Sequence, residues 1–147
     1  MRTLPAVLAV ASLAGCMSFD PLDDTVEYSG EDVAAIESVA RIDLPPEASV
    51  VRAVDVGFQD TAMHTRFTIP PAALDTFLAS TVCEALTAPD PAAPTPHDLV
   101  GEPWWNPGAG RPFRTCRSDM VGSYSHYILV EDDNPTALDV FVVTIVP

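Results

Sequence analysis

The chain has 147 residues, and 21 acidic against 7 basic side chains give it a formal net charge of −14. That length suits one domain with a real core. The charge sets the chain against phosphate backbones, which argues against a nucleic-acid partner, and against anionic headgroups, so the body should stand off a bilayer.

Met1-Arg2 is a short positive start, Leu4 to Leu13 is an uncharged apolar run, and small residues follow. This is the layout of a secretory signal peptide over residues 1–15. A run of about ten residues falls short of the roughly 20 that a membrane-spanning helix needs. Cys16 stands directly after Leu13-Ala14-Gly15, and the four residues resemble the lipobox of bacterial lipoproteins. The resemblance implies that Cys16 is acylated and becomes the first mature residue. It also implies more than one acyl chain, which a stable anchor requires. Met17 in place of an aspartate implies the periplasmic face of an outer membrane where the organism has one, and otherwise the outer face of the cell membrane.

Assigning Cys16 to lipid leaves Cys83 and Cys116, an even pair in an oxidising compartment. A disulfide between them is expected, worth about 3.5–4 kcal/mol by loop-closure entropy. Two separate buried thiols are the alternative.

Residues 16–29 read as the lipidated cysteine and an acidic tether. Asp20, Asp23 and Asp24 could be taken for a calcium site, but the glycine and distal glutamate of an EF-hand loop are missing, and a solvated linker is the plainer reading. Residues 30–147 are expected to form a single α+β domain. Ser29 and Asp32 have capping-box spacing, and Val33, Ile36, Val39 and Ala40 recur at helical intervals, so a helix is predicted from Ser29 until Leu44-Pro45-Pro46 stops it. Val50 to Phe58 reads as an interior strand. Ala62 to Ile69 alternates, with Met63, Thr65, Phe67 and Ile69 on one face and His64, Arg66 and Thr68 on the other. A hairpin with one face toward the core is predicted.

Pro70-Pro71 opens a second helix in which Leu74, Phe77, Leu78, Thr81, Val82 and Ala85 keep helical spacing. That spacing turns Cys83 to the outer face, so either the helix ends before Cys83 or the next loop wraps over it. Residues at about 87–112 form a proline-rich loop. Its second half carries Trp104 and Trp105, which suit either a ligand-contact platform or a cover over an open core. Phe113 to Val121, Tyr124 to Val130 and Leu138 to Val146 are predicted strands, with Glu131-Asp132-Asp133-Asn134-Pro135 as a turn. The expected architecture is a mainly antiparallel sheet of about five strands with two helices on one face.

Leu44-Pro45-Pro46-Glu47-Ala48, Asp60, and Phe67-Thr68-Ile69-Pro70 leading into Leu74, Phe77 and Leu78 resemble a layout in small uncharacterised bacterial envelope lipoproteins. That resemblance implies an envelope address and no activity.

The chemistry-bearing motifs are sparse. There is no Gly-x-Ser-x-Gly elbow, no phosphate-cradling glycine loop, and no ligand spacing for zinc. No cofactor, metal site or catalytic residue is assigned. The sequence favours a non-catalytic binding or interaction module held to the membrane by its N-terminal lipid, with an envelope protein or small ligand as partner. The alternative is a small envelope hydrolase or metal-dependent protein using His64, His126 and nearby acids. It requires those side chains to converge in one pocket.

Overall fold

A computed structural model describes residues 25–57, 61–91, 103–107, 111–131 and 133–147. The signal peptide, Cys16, the calcium reading of Asp20, Asp23 and Asp24, and residues 92–102 and 108–110 of the proline-rich loop lie outside these residues. The elements are β1 (Thr25–Ser29), α1 (Val33–Ala40), β2 (Ser49–Gly57), β3 (Thr61–Ile69), a 3-10 turn (Pro71–Ala73), α2 (Leu74–Ala79), β4 (Phe113–Arg117), β5 (Ser125–Glu131) and β6 (Leu138–Val146). The six strands make one sheet in the order β1-β2-β3-β6-β5-β4, and every pairing is antiparallel. The fold is therefore mostly β, and α+β only in the loose sense that it carries two short helices.

The strand count exceeds the expected five because Thr25–Ser29, read as the end of a tether, pairs with β2. Thr-Val-Glu-Tyr-Ser does alternate polar and apolar, but over only five residues that follow the acidic, proline-containing stretch read as a tether, and pairing with β2 is what makes it a strand. The predicted helix starts later for the same reason. Ser29 ends β1, and Asp32 turns back to accept from the Ser29 backbone N–H at 3.0 Å and its hydroxyl at 3.3 Å. The spacing of a capping box thus marks a strand-to-helix turn. Helix α1 ends four residues ahead of Leu44. Arg41 takes the left-handed region at φ 54°, and the Ile42 N–H reaches back to the Glu37 carbonyl at 3.4 Å. That is a Schellman closure with buried Ile42 packed into the core that also holds Ile36.

Helix α2 is six residues long, against the twelve or so that the periodicity predicts. The Ser80 and Thr81 hydroxyls donate to the Phe77 and Leu78 carbonyls at 2.7 and 2.8 Å, closing the last turn. Thr81, Val82 and Ala85 keep helical spacing without being helical, which frees Cys83 from the outer face of a helix.

Paired residues share a face of a sheet, and neighbours along a strand alternate. One face therefore carries Ala53, Met63, Phe67, Ile69, Leu138, Val140, Val142, Ile128 and Val130. These join Ile36 and Ala40 of α1 and Leu74 and Phe77 of α2 in the main core, so both helices cover this face. The opposite face is not left to solvent. Trp105, Phe113, Leu129, Phe141 and Val143 form a second buried cluster there, with Trp104 and Tyr127 packed against it. The β2–β3 hairpin is thus buried on both sides where one was expected, and His64 is 2% exposed.

Candidate functional site

The tryptophan segment is the first place to test for a binding surface. Trp105 is 2% exposed. Its ring meets His64 at 4.9 Å, Phe141 at 5.4 Å and Trp104 at 6.1 Å between centroids, each edge to face. Edge-to-face contact at these distances is the favoured geometry for aromatic rings. Trp105 is thus a plug in the second core and presents no open ring face. Trp104 is half-buried. Arg66 holds this segment down. It donates to the Trp104 carbonyl at 2.7 Å and to Asp139 at 3.2 Å, and its guanidinium lies 5.2 Å from the Phe141 ring centre. Thr68 completes the Asp139 carboxylate at 2.8 Å. One strand pair away, Arg111 pairs with the buried Glu131. The polar side of β3 therefore serves to fasten a cover, which alternation by itself reads as solvent exposure.

The histidines occupy different layers. His126 on β5 pairs with Thr144, and Thr144 pairs with Met63. Met63 neighbours His64 in the strand, so His64 and His126 point from opposite faces of the sheet. They do not converge, and the pocket that a hydrolase or metal-dependent reading requires is not formed by this pair. Among the described residues no group of three or more His, Cys, Asp or Glu is placed to hold a metal ion.

Each imidazole has a structural task. His126 is 1% exposed and contacts the Ala40 carbonyl through Nε2 at 2.9 Å, while its Nδ1 takes the Val82 N–H at 3.4 Å. This pair of contacts requires the neutral tautomer with the proton on Nε2. The Thr144 hydroxyl donates to the same Ala40 carbonyl at 2.8 Å. Together they tie the end of α1 to β5, β6 and the residues after α2. Burial pushes the His126 pKa below 6.5, with the Ala40 hydrogen bond opposing. His64 is also lowered by burial, against its hydrogen bond with the Ala62 carbonyl. No sequence signal marks His126 as a clamp, since its partners lie 86 and 44 residues away.

Cys83 and Cys116 are joined as a disulfide, with Cα atoms 6.0 Å apart. The bond is possible because α2 stops at Ala79. An open cleft of about 520 Å³ beside it is lined by Val82, Glu84, Ala85, Cys116, Arg117 and Ser118, among others. It carries no histidine and no buried acid. A second cleft of about 400 Å³, between α2 and the turn before β6, sets Asp75 and Arg114 among Leu74, Leu138 and prolines. Ser118 and Asp119 both line the first cleft, and the Ser118 hydroxyl oxygen accepts the His126 backbone N–H at 2.9 Å.

No protein-family model matches this chain, and no curated protein or solved structure was found to match it. No helix among the described residues is long and apolar enough to cross a membrane.

Proposed function

We propose that this is a lipid-anchored protein of the cell envelope whose folded body is a non-catalytic binding or interaction module. The observation that carries the reading is the Cys83–Cys116 bond. It accounts for two of three cysteines and leaves Cys16 alone, directly after Leu13-Ala14-Gly15. A structural disulfide also suits an oxidising compartment outside the cytosol. The non-catalytic part is supported by His64 and His126, both buried in hydrogen bonds and set on opposite faces of the sheet. In this reading the lipid on Cys16 holds the chain at the periplasmic face of an outer membrane, or at the outer face of a single membrane. The partner is an envelope protein or a small ligand, and of the two tryptophans Trp104 is the one with a ring left to meet it.

The test is Cys16→Ser in the full-length chain expressed with its own leader. The wild type is expected in the detergent phase of a cloud-point separation and in the membrane fraction. The variant is expected in the aqueous phase, or retained with its leader uncut. Equal partition of the two proteins into detergent refutes the anchor.

A further inference from the structure

We propose that the Cys83–Cys116 disulfide is the clasp of a redox-dependent edge cover: its reduction releases residues 83–91 and opens the outer edge of β4.

Strand β4 is terminal in the sheet, pairing with β5 on one side. Exposed strand edges offer unpaired N–H and C=O groups to any extended backbone, and proteins blunt them. Here the blunting is done by the irregular segment that follows α2. The Thr87 N–H donates to the Thr115 carbonyl at 2.8 Å, and the Thr115 N–H donates to the Thr87 hydroxyl at 3.0 Å. Asp90 and Phe113 exchange backbone bonds at 3.0 and 3.3 Å.

The start of this cover is fastened covalently. Cys83 is buried and Leu86 partly so, but every other side chain from Glu84 to Pro91 is exposed. The segment brings almost no apolar surface, so burial does little to keep it in place. Its N-terminal end is fastened by the Cys83–Cys116 bond and by the Val82 N–H on His126. A few exposed hydrogen bonds without buried area form the low-stability end of a fold. Removing the bond therefore frees the cover ahead of the sheet beneath it.

The bond is also approachable. Cys116 lines the open 520 Å³ cleft, which gives a small thiol a route to it. Reduction by a dithiol proceeds by exchange. A reductant thiolate attacks one sulfur and forms a mixed disulfide, and the other cysteine leaves as thiolate. The second reductant thiol then closes the reductant's own disulfide. Two electrons and two protons pass to Cys83 and Cys116, and the dithiol leaves oxidised.

The experiment is amide hydrogen exchange on the full chain at neutral pH, oxidised and after treatment with dithiothreitol, with free thiols counted by alkylation. The Phe113 and Thr115 amides, which bond to the cover, are expected to lose protection by about tenfold or more on reduction, while the amides of β3 and β6 keep theirs. Three results overturn the proposal. The β4 amides stay protected although both thiols are free, so the cover holds without its clasp. All strands lose protection together, so the bond supports the whole fold and not the edge. The bond resists dithiothreitol while the protein is folded, so the cleft gives no access. A Cys83→Ser/Cys116→Ser chain, if folded, is expected to reproduce the reduced pattern without reductant, and native protection of its β4 amides is the first overturning result reached independently.

Discussion

Trp105→Ala separates a core plug from a surface platform. A buried tryptophan removes about 150–250 Å² from water. At about 25 cal/mol per Å² that is about 4–6 kcal/mol, and a compact unfolded state lowers it to about 3–5. Edge-to-face contacts with His64, Phe141 and Trp104 add to this, at about 0.5–1.5 kcal/mol for a favourable aromatic pair. The indole Nε1 works against it, because it is buried with no hydrogen-bond partner among the described residues, a cost of about 1–3 kcal/mol that alanine removes. The contacts and the unpaired indole nitrogen roughly offset each other or leave a small gain, so the balance is a loss of about 3–5 kcal/mol, the usual span for truncating a buried aromatic residue. For a domain of this size that is a fall in Tm of about 10–15 °C. Trp104→Ala, which removes a half-buried ring, is expected to cost less than half as much. Thermal melts of both variants by circular dichroism are the assay. A fall of less than about 3 °C for Trp105→Ala refutes the plug and restores the pair as a platform.

Acid should weaken the fold through its histidines. Both imidazoles are held below 6.5 by burial, so the unfolded chain takes up protons first as pH falls. Stability then drops below about pH 6.5 by up to about 1.4 kcal/mol per pH unit for each histidine, until its folded pKa is reached. Asp55, raised above 3.8 by desolvation, works the other way in the window just above that value. Urea unfolding at pH 7.5, 6.5 and 5.5 checks this, and equal stabilities at all three refute it. Val50→Gly should stabilise by about 0.5–1 kcal/mol. Val50 is 65% exposed and sits at φ 53° in the register shift between Ser49 and Arg52, a conformation that strains a β-branched side chain and suits glycine. A lower urea midpoint for the variant would show that the bulge carries no strain.

The hydrophobic run Leu138–Val146 announced a buried strand in the sequence, and β6 lies at the centre of the sheet as such a run demands. The helical spacing of Val33, Ile36, Val39 and Ala40 and the alternation of Ala62 to Ile69 were equally legible, because their periods are written in neighbouring residues, although the ends of that helix were not. The pairing of Cys83 with Cys116 followed from counting, once the lipobox reading set Cys16 aside. Everything that places the candidate site depends on contacts between distant residues. Whether the polar face of β3 meets water or a tryptophan is decided by the return of residues 103–107, about 40 positions later, under the pull of Arg66 on the Trp104 carbonyl. The length of α2 is decided by two hydroxyls and by the distance from Cys83 to Cys116, against a periodicity that runs on to Ala85. The role of His126 is decided by Ala40 and Val82, and its place on the face opposite His64 by the register of β6 with β3 and β5. Local pattern records which side chains prefer burial, while the layer that buries them is set by strand order and by loops whose own sequences carry no period.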